Sequence, residues 1–163
     1  MDLVLILDNI RSSHNVGSIL RTCDGLGINE VYLCGITPYP KSKNDDRLPH
    51  LAEKTEKQIS KTSLGAEKTV KWHYRKSVTE TLDDLKSKSY VIAALEQTAC
   101  SVSLSEYNKP VKLVLIVGNE VTGVSSVVLE ICDSSLEIPM HGDKESFNVA
   151  VAAAIALYVL MQP

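Results

Sequence analysis

The chain has 163 residues, 44% hydrophobic and 23% charged, with a formal net charge of −3, which suits one globular domain with a substantial core. Its longest apolar stretch, Val149 to Met161, falls short of the roughly 20 residues of a membrane helix, so a buried helix is expected there. Met1 leads straight into Asp2 and Leu3 to Leu7, without the charged-then-apolar pattern of a secretory leader. Four well-separated cysteines (Cys23, Cys34, Cys100, Cys132) form no Cys-x-x-Cys pair and have no histidine at ligand spacing, so reduced core thiols in a cytoplasmic protein are expected.

The apolar run Leu3 to Leu7 reads as a strand ending at Asp8. A polar loop follows, then the helical pattern Val16, Ile19, Leu20, Cys23, Leu26, closed by Gly25 and Gly27. Glu30 to Cys34 is a second strand, so the chain opens with a βαβ unit and parallel pairing. Gly35 to Asp46 is a loop, Pro49 to Lys61 an amphipathic helix, Val70 to Tyr74 a strand and Thr79 to Lys88 a polar helix. Tyr90 to Leu95 is a strand. Lys112 to Val117 is a strongly apolar strand that belongs at the centre of a sheet. Ser125 can cap a helix through Ile131, Leu136 to Ile138 is a last short strand, and Ser146 to Leu160 a closing helix. This alternation predicts an α/β fold, a mostly parallel sheet with helices on both faces, whose ligands sit beyond the carboxyl ends of the strands.

Charge is uneven along the chain. Between Lys41 and Lys76 stand ten Lys/Arg against five Asp/Glu, a net +5, which leaves −8 for the rest. Either a basic face for nucleic acid or a solvated helix of mixed charge accounts for this, and clustering in space decides between them.

Three loops at the predicted carboxyl ends stand out. The first, Asn9 to Ser18, has one glycine and lacks G-x-G-x-x-G. Gly118 and Gly123 have the G-x-x-x-x-G spacing but are followed by Val124 and Ser125, so neither a dinucleotide fingerprint nor a Walker motif is present. Asn15 and Arg21 are polar positions on a mostly apolar helix. Asn15 is either a helix cap or a ligand contact, and Arg21 either pairs with Asp24 or Glu120 or reaches a ligand with its stem partly buried. Gly118-Asn119-Glu120-Val121-Thr122-Gly123 follows the most apolar strand, and its glycines allow a tight turn and close backbone approach. In Ile138 to Asn148, Ser146 and Asn148 precede an almost wholly apolar helix, where exposed amides could meet a ligand or be capped locally.

Taken together, Asn9 to Gly27, Leu113 to Val124 and Leu136 to Tyr158 resemble, in order and spacing, the three motifs of the SpoU/TrmH family of SPOUT RNA methyltransferases. Asn15 and Arg21 match the family's asparagine and catalytic arginine, Glu120 its Gly-Asn-Glu glutamate, and Ser146 and Asn148 its paired serine and asparagine. Ala94 to Thr98 is placed like the family's loop beside the cofactor adenine. Val121 stands where many relatives have glycine, and Phe147 where leucine or methionine is usual.

The resemblance implies a single SPOUT domain over residues 1–163, closed by a C-terminal trefoil knot; many relatives carry an extra RNA-binding domain or basic terminal extensions, and in departure from them no separate RNA-binding domain is expected here. It further implies a homodimer, S-adenosylmethionine as cofactor, no metal, and methylation of a ribose 2′-hydroxyl of RNA, with transfer RNA favoured and ribosomal RNA the alternative. A catalytic set of Arg21, Asn15, Glu120, Ser146 and Asn148 follows. The cofactor set comprises Leu95, Glu96, Gln97 and Thr98, then Val117, Gly118, Asn119 and Gly123, and finally Ile138, Pro139, Met140, Ser146, Asn148 and Val149. Guanidinium groups titrate above about 12, so Arg21 is expected to grip the ribose and its phosphate rather than act as a simple base, with Glu120 holding Arg21 or substrate. A binding module that keeps the fold without transfer, and base methylation, are the competing readings.

Overall fold

The computed structural model describes residues 1–28, 30–43 and 45–162. Among the described residues, short apolar runs separated by helices produce seven strands and five helices in the order β1 Asp2–Asp8, α1 Ser13–Leu26, β2 Glu30–Cys34, α2 Pro49–Ser63, β3 Lys71–Arg75, α3 Val78–Ser87, β4 Val91–Leu95, β5 Val102–Ser103, β6 Lys112–Val117, α4 Ser126–Ile131, β7 Ser134–Glu137 and α5 Val149–Met161, with a 3₁₀ turn at Ala66–Lys68. The strands form one sheet in the order β3-β2-β1-β6-β4-β7-β5, and every pairing is parallel.

β6 occupies the centre, as its composition predicts, in register with β1 from Asp2 opposite Lys112 to Leu7 opposite Val117. Strands buried on both faces still divide their side chains by alternation. Leu3, Leu5, Leu7, Leu113, Leu115 and Val117 pack under one helical layer, and Val4, Ile6, Val114 and Ile116 under the other. The first layer is built on α1, α2 and α5, and the second on α3 and α4. Each fully buried Leu or Ile contributes about 1.5–3 kcal/mol of transfer free energy, so this double burial fixes the strand order.

Four expectations shift. β7 begins at Ser134 rather than Leu136, because Asp133 exchanges hydrogen bonds with Ile92 (Asp133 N–H to the Ile92 carbonyl, 2.8 Å; Ile92 N–H to Asp133 Oδ2, 2.8 Å) and starts the pairing before the apolar residues. α5 begins at Val149, and Asn148, not Ser146, caps it by accepting the Ala150 N–H at 2.9 Å. β5 and the 3₁₀ turn are too short to leave a periodic signal. Of the four free cysteines, Cys23 and Cys34 are buried but Cys100 is exposed in the turn after β4, so it is no core thiol.

The helical layer formed by α1 and α2 depends on a close crossing. A methyl group at Gly17 of α1 would overlap Thr62 Oγ1 and the Ile59 carbonyl oxygen of α2, whereas one at Gly25, on the open side of the same helix, would meet nothing. Alanine raises helix propensity by about 1 kcal/mol at either site, but overlap with a backbone carbonyl costs about 1–3 kcal/mol. Gly17→Ala is therefore expected to lower the melting temperature by several degrees and Gly25→Ala to leave it unchanged or raise it, measured by thermal denaturation. Equal behaviour of the two variants would contradict the close crossing.

Candidate active site

The carboxyl ends of β4, β6 and β7 surround a cleft of about 480 Å³, within the range of small-molecule sites. Its floor begins where β6 runs out. Gly118 leaves the strand, and Asn119 and Gly123 exchange two backbone hydrogen bonds (3.1 and 2.9 Å) that close a tight turn. A side chain at Gly118 would run into the Gly123 backbone, and Gly123 has a left-handed φ of 66°, so both positions require glycine. Asn119 stiffens the turn from within: Oδ1 accepts the Val121 and Thr122 N–H groups (2.8 and 3.1 Å), and Nδ2 donates to the Asn9 carbonyl (2.8 Å). Glu96, after β4, supports the far side by accepting the Val124 N–H at 2.8 Å.

This turn delivers Glu120 to the amino-terminus of α1. Its Oε2 accepts the Arg11 N–H (2.8 Å), and its Oε1 accepts the Ser12 N–H (3.0 Å) and Asn15 Nδ2 (2.8 Å). Burial pushes the Glu120 carboxyl upward, but the hydrogen bonds from Arg11, Asn15 and Ser12 outweigh it and hold the group below the usual glutamate range. It is an anion at neutral pH, placed where the helix dipole favours negative charge. Asn15 Oδ1 in turn accepts Asn148 Nδ2 at 3.3 Å. One hydrogen-bonded chain, Glu120 to Asn15 to Asn148, thus joins the β6 turn, α1 and α5.

Asn15 is not the helix cap. Ser12 takes that part, accepting the Asn15 N–H at 3.3 Å, which frees the asparagine side chain for the chain just described. Leu95, Glu96 and Gln97, then Val117, Gly118, Asn119, Glu120 and Gly123, and then Ile138, Met140, Ser146, Asn148 and Val149 line the cleft. Thr98 and Pro139 do not, and the Thr98 hydroxyl serves its own turn by accepting the Cys100 N–H (3.4 Å).

Arg21 stands apart. It is exposed, does not line the cleft, and is not the partner of Glu120, whose oxygens are taken by Arg11, Ser12 and Asn15. Arg21 shares the outward face of α1 with His14, Ser18 and Gly25, at helical spacings of three and four.

Six lining residues escape a reading from motifs alone: Val121, Leu136, Glu137, Glu145, Phe147 and Ala152. Signals existed for three of them. Val121 and Phe147 are the departures from the family pattern, and Ala152 lies one helical turn beyond Asn148. No Lys, Arg or His lines the cleft among the described residues, whereas Glu96, Glu120, Glu137 and Glu145 do. A half-apolar pocket ringed by carboxylates suits a ligand with positive charge and an apolar body.

A profile of the SpoU rRNA Methylase family matches residues 2–158. A tRNA (guanosine(18)-2′-O)-methyltransferase of Aquifex aeolicus is 33% identical over 159 residues, 96% of this chain and 67% of the relative. The crystal structure of an A. aeolicus TrmH/SpoU tRNA modifying enzyme superposes with a TM-score of 0.80 at 30% identity, covering 98% of this chain and 74% of that one. The SpoU methyltransferase AviRb of Streptomyces viridochromogenes, crystallised with the cofactor AdoMet, superposes at 0.81 and 23% identity, over 98% of this chain and 57% of that one. The chain spans 56% to 67% of the length of the curated relatives it matches.

The Glu120 chain carries a pH signature. A carboxyl whose folded pKa is depressed stabilises the fold above its unfolded pKa and loses that contribution as pH falls through the folded value. Glu120→Gln, which cannot titrate, is expected to cost about 1 kcal/mol at pH 7, a modest figure because the carboxylate is exposed. The gap in melting temperature between wild type and variant should narrow as pH drops below the ordinary carboxylate range. A gap that is constant with pH would contradict the charged interaction.

Proposed function

This chain belongs to the SpoU/TrmH family of RNA methyltransferases, and on that premise we propose that it transfers a methyl group from S-adenosylmethionine to a ribose 2′-hydroxyl of RNA, with transfer RNA favoured over ribosomal RNA. The observation that carries this reading is the Glu120–Asn15–Asn148 chain at the lip of an acidic cleft. The preference for transfer RNA follows the substrate named for the Aquifex relative.

The cleft suits the cofactor, whose sulfonium supplies an activated methyl carbon. Backbone groups at Leu95, Val117, Gly118, Ile138 and Met140 would hold it, with Glu96 and Glu137 adding negative potential. What remains for the protein is to fix an oxygen in line with that carbon while the hydroxyl proton passes to the adjacent RNA phosphate and on to solvent. Asn15 and Asn148 each commit one N–H within the chain and keep a second for the ribose hydroxyls. Glu120, held anionic, fixes Asn15 and does not itself donate a proton. Ser146, lining the cleft beside Asn148, completes the ribose contacts.

Arg21 fits this scheme through a second copy of the chain. α5 is apolar on all sides, yet Val151 and Tyr158 are exposed, and α5 packs beside α1, so these helices present a surface that a homodimer would cover. We read Arg21 as reaching the partner's cleft across that contact and gripping the ribose and adjacent phosphate there. The family knot belongs to the same proposal: β7 sits between β4 and β5, the 138–148 loop and the β6 turn line one cleft, and α5 packs against α1. Among the described residues no helix is long and apolar enough to cross a membrane. Independently of that, an RNA substrate leads us to place the activity, carried by the one domain described, in the cytoplasm.

Labelled cofactor offered with separate pools of transfer and ribosomal RNA tests the reading, with label expected in transfer RNA; label confined to ribosomal RNA overturns the preference, and none in either overturns the activity. Mixing Arg21→Ala with Asn148→Ala tests the cross-subunit assignment. Each variant alone should be nearly inactive, while random mixed dimers have one site with both groups and should restore about a quarter of wild-type activity. No restoration would return Arg21 to its own subunit's site.

A further inference from the structure

Within the basic stretch from Lys41 to Lys76, three of the ten Lys/Arg form a stripe on α2 together with a histidine. His50, Lys54, Lys57 and Lys61 are spaced by four, three and four residues, so they share one helical face, and all four are exposed. The opposite face, carrying Ala52, Ile59 and Ser63, is buried. None of the three lysines is ion-paired among the described residues, and of the two helix glutamates Glu53 is occupied by Lys41 at 3.1 Å. The stripe runs roughly 16 Å along the helix axis.

It also leads somewhere. The last turn of α2 rests on the first turn of α1, where the Thr62 hydroxyl donates to the His14 carbonyl at 2.9 Å. Exposed Arg11 continues the positive charge from there to the residues whose backbone holds Glu120. We propose that this α2 stripe is a docking track for the sugar-phosphate backbone of the substrate RNA, gripping the strand away from the methylated nucleotide. The inference rests on RNA being the substrate. Lysines are point charges with no base-reading geometry, so the grip is independent of sequence and strengthens as salt falls. A protein that is acidic overall thereby offers a polyanion a path that ends at the cleft.

The test compares the full-length wild type with the triple variant Lys54→Gln/Lys57→Gln/Lys61→Gln, and with a control, Lys86→Gln/Lys88→Gln/Lys112→Gln, that removes equal charge elsewhere. RNA affinity is measured over a range of salt concentrations by filter binding, alongside KM and kcat for methyl transfer and cofactor affinity by calorimetry. The α2 variant should bind RNA about tenfold or more weakly at low salt, with the slope of log affinity against log salt reduced by about 2–3. KM for RNA should rise while kcat and cofactor affinity hold, and the control should match wild type. An unchanged slope and KM in the α2 variant, or an equal loss in the control, would overturn the track. A wild type that binds RNA through the stripe but transfers no methyl group would instead overturn the activity while leaving the track standing, and one that binds no RNA would overturn both.

Discussion

A single carboxylate at a helix amino-terminus organises this site. Glu120 accepts two backbone N–H groups from the residues just before α1 and one side-chain amide from its first turn, and among the described residues no other ties the β6 turn to that helix by three hydrogen bonds. Its reach depends on the turn being tight, which requires Gly118 and Gly123, and on the turn being stiff, which Asn119 and Glu96 provide. That turn is placed by β6, locked between β1 and β4 at the middle of the sheet. Sequence composition therefore acts on chemistry through a short path: an apolar strand is driven to the centre, and its exit turn presents an acid to the neighbouring helix.

Charge is divided by function across the molecule. The cleft is lined by carboxylates and suits a cationic methyl donor, while the basic residues of the same chain that could meet a polyanion lie outside it, on α2, just before α1 and at Arg21. Had the lysines lined the cleft, they would repel the sulfonium; had the glutamates lined the approach, they would repel phosphate. A net charge of −3 overall and +5 between Lys41 and Lys76 is the composition such a division produces.

Much of this was legible in the chain itself. β2 and β6 have the bounds their apolar runs suggest, because burial on both faces leaves no other arrangement. Ser125 caps α4 through the Val128 N–H, a local contact that residue type alone can signal. Contacts between distant segments were less visible. Ser134 and Ser135 join β7 through pairing with Ala93 and Ala94, not through any apolarity of their own. Asn15 and Asn148 each look like a cap from sequence, and only α5 is in fact capped this way, while Ser12 releases Asn15 for the site. The surroundings of Arg21 were the least legible, since a helical position fixes a face but not what lies opposite it.

The central claim, that this cleft brings a ribose oxygen to a methyl carbon, is tested most directly by the fate of the label under alkali. RNA methylated with radiolabelled cofactor is hydrolysed completely in base, which cleaves each phosphodiester through attack by the adjacent 2′-hydroxyl. A methylated 2′-oxygen cannot attack, so the account predicts label in alkali-resistant dinucleotides. Label recovered in mononucleotides would place the methyl group on a base and contradict it.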